Sequence, residues 1–202
     1  MITEYRFCPA CASPLALRSE LEDAGLTERL RCPACSFTHW NNPTPVLAAI
    51  VELDGQVLLA RNAAWQHRMM GLITGFMEAG ETPEQGISRE IGEETGLSVS
   101  ALTLVGVHDF QRMNQVIITY HAVAHGQVQL SPELAEYRLL RPEQVKCWRA
   151  GTGLALADWL RSRGQEPVFM DLPTADEPRA SAPGETSDQP GFQQSAPPGR
   201  RA

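Results

Sequence analysis

Gly75-Phe-Met-Glu-Ala-Gly-Glu81-Thr-Pro-Glu-Gln-Gly-Ile-Ser-Arg89-Glu90-Ile-Gly-Glu93-Glu94-Thr-Gly96-Leu97 is the stretch on which the reading of this chain turns. Thr82 is a good N-cap, Pro83 suits the first helical position, and Gln85 completes a capping box. Gly96 follows as a C-terminal cap would. Together they predict a helix from about Pro83 to Thr95. Glu90, Glu93 and Glu94 stand at positions i, i+3 and i+4, so they share one face of that helix. Like charges at this spacing repel, and the glycines at 86 and 92 each cost about 1 kcal/mol relative to alanine. A helix weakened in this way suggests a compensating task. A hard divalent cation supplies one, because Mg²⁺ takes carboxylate oxygens and completes its shell with substrate phosphates. The bland alternative is a solvated acidic face, which is what most charge runs are.

The whole segment decides between the two. It matches G-x5-E-x7-R-E-U-x-E-E-x-G-U, with U apolar, at every fixed position: Gly75, Glu81, Arg89, Glu90, Ile91, Glu93, Glu94, Gly96 and Leu97. Ordinary residue frequencies would produce such a match on the order of once per billion positions. The segment resembles the signature of the Nudix hydrolase superfamily. That resemblance implies an α/β fold, an α/β/α sandwich in which the signature forms a loop-helix-loop. It implies that Glu90, Glu93 and Glu94 bind Mg²⁺ or Mn²⁺ with help from a backbone carbonyl near Gly75. It implies that Arg89 pairs with Glu81 to hold the loop, and that Gly75 and Gly96 serve backbone turns. The activity it implies is metal-dependent cleavage of a diphosphate bond in a nucleotide derivative, with Glu90, Glu93 and Glu94 in the catalytic set. The general base in such proteins is either a signature glutamate or one from a later loop. Glu133 and Glu136 are the later candidates here, against the reading of both as ordinary surface carboxylates.

Outward from the helix, apolar segments alternate with turns. Val46–Leu53 and Gln56–Ala60 flank Asp54-Gly55, a strong hairpin signal. Leu72–Phe76, Ser98–Phe110, Gln115–Ala124 and Tyr137–Leu140 read as further strands, with Gln111–Asn114 as a turn. A second helix is predicted from about Thr152 to Arg163, burying Leu154, Leu156, Trp159 and Leu160. Phe76 and Phe110 are candidates to line a base pocket, against core packing as the more ordinary role. Strands around two helices make a mixed α/β domain.

Toward the N-terminus, Cys8-Pro-Ala-Cys11 and Cys32-Pro-Ala-Cys35 are two CxxC pairs separated by twenty residues. That spacing is the pattern of a closed, tetrahedral, structural Zn²⁺ site. His39 is a spare ligand at most, and Trp40 and Phe37 are expected to pack against the catalytic domain. A ribbon of this kind ahead of a Nudix domain resembles the zinc-bearing NADH pyrophosphatase group and the zinc-ribbon proteins acting on FAD or ADP-ribose. The S-Q-P-W-P-F-P-x-S element of NADH pyrophosphatases is absent; His108-Asp-Phe-Gln-Arg-Met-Asn-Gln115 stands in that region. Substrate class therefore stays open among dinucleotide-type diphosphates, and no substrate-binding residue is assigned.

Three segments follow: a zinc ribbon over residues 1–40, a hydrolase domain over 41–165, and a Pro/Ser/Gly-rich tail over 171–202 expected to be disordered. The 202 residues are 43% hydrophobic and 20% charged, as in soluble globular proteins. A net charge of −7 argues against broad binding to nucleic acid or anionic membrane. The N-terminus shows no basic segment followed by an apolar run, and paired cysteines without a secretion signal suit a reducing cytoplasm. The partner expected is a small nucleotide diphosphate. A nucleotide-sensing or RNA-binding module, or an enzyme acting on a nucleotide cap of RNA, are the alternatives. Similar proteins are commonly homodimers, but no residue here specifies that.

Overall fold

The computed structural model describes residues 5–23, 25–65 and 68–171. The expected tail lies outside the described residues from 172 onward. Strands β4 (Thr44–Leu53), β5 (Gln56–Asn62), β6 (Ile73–Phe76), β7 (Ser98–Phe110), β8 (Gln115–His125) and β9 (Leu134–Leu140) form one mixed sheet. Its order is β7-β8-β4-β5-β9, with β6 pairing to β4. Asp54 and Gly55 both take left-handed φ, 50° and 75°, as the two-residue turn of the β4–β5 hairpin requires.

Strand β4 is central, and its alternation feeds two cores. Leu47, Ala49 and Val51 pack with Ile87 and Ile91 of helix α1 (Pro83–Thr95). Ile50 points the other way, to Leu156, Trp159 and Leu160 of α2 (Thr152–Ser162). One helix on each face of the sheet gives the expected α/β/α sandwich. Leu154 is a correction: it is exposed, and Ala155 and Ala157 take buried positions beside Leu156. A second small parallel sheet, β10 (Lys146–Trp148) with β11 (Val168–Met170), borders α2.

Helix α1 is capped as expected. The Thr82 hydroxyl accepts from the Gln85 amide at 3.3 Å, the Gln85 side chain accepts from the Thr82 amide at 2.9 Å, and Gly96 is left-handed at φ 70°. Its two interior glycines differ in kind. A Cβ on Gly86 would sit 2.5 Å from Leu47 Cδ1 and from Glu81 Oε1, so close packing of α1 on β4 demands glycine there. A Cβ on Gly92 would meet nothing nearer than 3.9 Å. Gly92→Ala is therefore expected to raise unfolding stability by about 1 kcal/mol, and Gly86→Ala to lower it by about 1–3 kcal/mol. Urea unfolding of both variants checks this; stabilisation by both would show that Gly86 is not close-packed.

The N-terminal residues form a separate three-stranded antiparallel sheet of β1 (Ala16–Glu22), β2 (Gly25–Arg31) and β3 (Thr38–His39). It is joined to the large sheet at Asn41–Asn42, where the Asn114 side-chain amide donates to Asn41 Oδ1 at 3.1 Å. Trp40 does not pack as expected: it is 53% exposed, with the Arg29 guanidinium 4.9 Å from its ring centroid. No helix among the described residues is long and apolar enough to cross a membrane.

Candidate active site

A cleft of about 520 Å³ is lined by residues of β6 and α1, together with β4, β8 and the loop before β9. Glu90, Glu93, Glu94 and Glu133 all line it, beside Gly75, Phe76 and Gln115. The three helix glutamates are not equivalent, although sequence spacing puts them on one face. The Glu94 residue is only 8% exposed, whereas the Glu93 side chain is 61% exposed. Burial, then the charges of Glu90, Glu133 and Glu93, push the Glu94 carboxyl up to about 7. Gly75 lies directly against Glu90: a Cβ there would collide with the Glu90 carboxylate.

Arg89 organises the loop side of the cleft. Its guanidinium donates to Glu81 at 2.9 Å, to Glu90 at 2.9 Å, to Glu93 at 3.1 Å and to the Phe76 carbonyl at 3.3 Å. Glu81 also accepts from the Glu78 amide at 2.7 Å, and with Arg89 this holds its carboxyl below the usual carboxylate range. Arg89→Met leaves Glu81 and Glu90 largely desolvated and unpaired. Stability is expected to fall, read by urea unfolding. An unchanged unfolding midpoint would mean the fork is solvent-weakened.

Of the two later carboxylates, Glu133 reaches the cleft, while Glu136 pairs with Arg61 at 3.2 Å and is absent from the lining. Phe76, 58% exposed, lines the cleft rather than the core. Val46, Glu78 and Gln115 also reach the lining without any signal in the sequence, because the strands β4 and β8 and the loop after β6 that carry them meet only in the folded domain.

In the N-terminal ribbon the sulfurs of Cys8, Cys11, Cys32 and Cys35 lie within 4.8 Å of one another. Neighbouring sulfurs are 3.5–3.7 Å apart, close to the roughly 3.8 Å edge of a tetrahedron with metal–sulfur bonds of about 2.3 Å. Hydrogen bonds from the Ser13 side chain and backbone pull the Cys11 thiol down to about 6, whereas Cys35, despite a lowering bond from the Phe37 backbone, is pushed up to about 12 by the neighbouring sulfurs and burial, so in the metal-free cluster the sulfurs share protons. His39 lies against Tyr5 instead, ring centroids 4.4 Å apart. Among the described residues this is the one group of ligating side chains gathered so tightly. The cleft glutamates are more open, with Glu90 and Glu93 drawn to Arg89.

The family model described as NUDIX domain matches residues 42–160. This chain belongs to the NUDIX family. The zinc-ribbon family described as Nudix N-terminal matches residues 6–41 ahead of the NUDIX domain. A NUDIX hydrolase from Nitrosomonas europaea superposes with a TM-score of 0.67 at 28% identity, covering 83% of this chain and 97% of that one. Relatives in sequence include the NAD-capped RNA hydrolase NudC of Stutzerimonas stutzeri, 28% identical over 67% of this chain and 47% of its own length. NudC of Mycobacterium tuberculosis is 34% identical over 57% of this chain and 36% of its own. The chain thus spans about half the length, or less, of these relatives.

Proposed function

We propose that this NUDIX chain is a divalent-metal-dependent hydrolase that splits the diphosphate bond of a nucleoside diphosphate joined to another group. The observation that carries the reading is the convergence of Glu90, Glu93, Glu94 and Glu133 on one open cleft. Glu90, Glu93 and Glu94, with the Gly75 carbonyl, would hold Mg²⁺ or Mn²⁺; hard carboxylate oxygens and a buried anion in want of a cation suit such an ion. Bound there, the cation would neutralise charge on the diphosphate oxygens and acidify a water.

The protein's own groups do the rest. Glu133, exposed and lining the cleft, would accept the water's proton. In this reading Glu81, Arg89 and Gly96 shape the loop-helix-loop, a structural role. Zn²⁺ in the four-cysteine cluster is proposed as structural, with a ribbon over residues 1–40 and a catalytic domain over 41–165. Thiols poised for metal suit a reducing cytoplasm.

The substrate is a dinucleotide-type diphosphate such as NADH, FAD or ADP-ribose. The likeness to NAD-capped RNA hydrolases favours a second form of the same chemistry, with the dinucleotide at the 5′ end of RNA. A hydrolysis panel with Mg²⁺ and Mn²⁺, covering NADH, NAD, FAD, ADP-ribose and NAD-capped RNA, tests both. Cleavage of the free dinucleotides to two monophosphates supports the first form. Preference for the capped RNA supports the second. If nothing is cleaved by folded, metal-supplied protein, a nucleotide-sensing module replaces the enzyme.

A further inference from the structure

Glu133 stands in a short turn, Ser131-Pro-Glu-Leu134, that leads into β9. Two bonds fasten the loop carrying this turn to the end of α1. The Gln129 amide donates to the Thr95 carbonyl at 2.8 Å, and the Ser131 amide to the Glu94 carbonyl at 2.9 Å. Carbonyls in the last turn of a helix have no partner within it, so they are open to such donors. Gly96 lets the loop approach: a Cβ there would sit 3.2 Å from Gln129 Cβ. Ser131 then closes the turn twice over. Its carbonyl accepts from the Leu134 amide at 3.1 Å, and its hydroxyl accepts from the Glu133 amide at 3.3 Å. Pro132 follows it, with a fixed φ that suits the second position of a turn. On the other side the Ala63 amide donates to the Glu133 carbonyl at 2.7 Å.

Three polar groups of Ser131 thus form one chain of contacts from Glu94 on the helix to Glu133 across the same cleft. Glu133 is exposed, so its backbone, more than packing around its side chain, sets where the carboxylate stands. Placement matters for a base, since a misplacement of about 1 Å in a reacting group can cost about 10²-fold in rate. We propose that Ser131 is a positioning residue for Glu133. Its hydroxyl fixes the Glu133 peptide relative to α1, and so the point from which the carboxylate reaches the attacking water. This inference rests on the reading of Glu133 as the general base. The ordinary alternative is a serine that only starts β9. The two roles differ in one respect. A positioning serine matters only while residue 133 can accept a proton, whereas a structural one matters whatever stands at 133.

A double-mutant cycle on the full chain tests this, read by steady-state kinetics with Mn²⁺ on NADH, NAD, FAD, ADP-ribose and NAD-capped RNA. Glu133→Gln is expected to lower kcat by about 10²-fold or more. Ser131→Ala removes one long, neutral hydrogen bond and is expected to lower kcat about 3–10-fold at unchanged KM. Ser131→Thr keeps the hydroxyl and is expected to hold the wild-type rate. In the Glu133→Gln background, Ser131→Ala is expected to change kcat by less than about twofold. Urea unfolding reports the fold of each variant, and a general loss of stability would lower kcat in both backgrounds alike. An equal loss in both backgrounds overturns the proposal. So does a wild-type rate in Ser131→Ala beside a slow Glu133→Gln, and either result leaves Glu133 as the base. Full turnover in Glu133→Gln overturns the role of Glu133 and this inference with it. A wild type that cleaves none of the five substrates overturns the enzyme reading and the inference together.

Discussion

Glu94→Gln is expected to reduce turnover by about 10³-fold or more while leaving the fold intact. Losing one charge-stabilising group costs that much in phosphoryl-transfer enzymes generally, because positioning and charge neutralisation are nearly all the protein contributes. Of the three helix glutamates this one is the most deeply placed, and its carboxylate is the one whose charge the cleft least tolerates without a cation. The same substitution should act oppositely on the metal-free protein. A carboxyl pushed up to about 7 by burial and by its neighbours favours the folded state while protonated. That stability is fully present below about pH 4.5 and is lost as pH rises through about 7. Metal-free wild type should therefore lose stability over this window, and Glu94→Gln should flatten the loss. Steady-state kinetics with Mn²⁺ and urea unfolding at several pH values in chelator read the two effects. Near-wild-type turnover would remove Glu94 from the catalytic set, and an unchanged pH profile would show that its charge is solvated after all.

The contrast between Glu94 and Glu93 also marks where sequence stops speaking. Helix α1 was legible because everything that defines it is local: the Thr82–Gln85 box, Pro83, the Gly96 cap and the signature glutamates. The β4–β5 turn was legible because Asp54-Gly55 suits the left-handed pair that a tight hairpin needs. Tertiary placement was not. Which glutamate is buried, that Gly86 is packed and Gly92 is not, and that Phe76 faces the cleft all depend on how α1 and β6 lie against β4, contacts between segments distant in sequence. Leu154 failed for the same reason: periodicity marks a stripe, but contact with β10 and β7 chose alanines for part of it. In the ribbon, β1 and β2 carry alternating charges and leucines with no buried apolar face, so no core signal announced them.

That lack of a core makes metal removal the sharpest test of the N-terminal sheet. Among the described residues before β4, the buried side chains are Cys8 and Cys32, which belong to the four-cysteine cluster itself. The cluster takes the place of a hydrophobic core, and about forty residues without one do not fold unaided. Structural zinc supplies about 10–16 kcal/mol of binding free energy to small domains of this kind, and that free energy is folding free energy. Stripping zinc from the full chain, or replacing Cys32 with Ser, is expected to unfold residues 5–41 while the NUDIX domain keeps its own cooperative transition. In a ¹H–¹⁵N correlation spectrum the amides of β1–β3 should collapse to the centre, those of β4–β9 should persist, and readdition of zinc should restore the first set only in the wild type. The Asn114–Asn41 contact ends where the ribbon begins, so little else ties the two sheets to a common fate. Ribbon amides that stay dispersed without metal would mean that the ion-pair face of Arg29, Arg31 and Glu22, rather than the sulfurs, holds the hairpin. Ion pairs at the surface contribute little, too little to offset the entropy of ordering the hairpin.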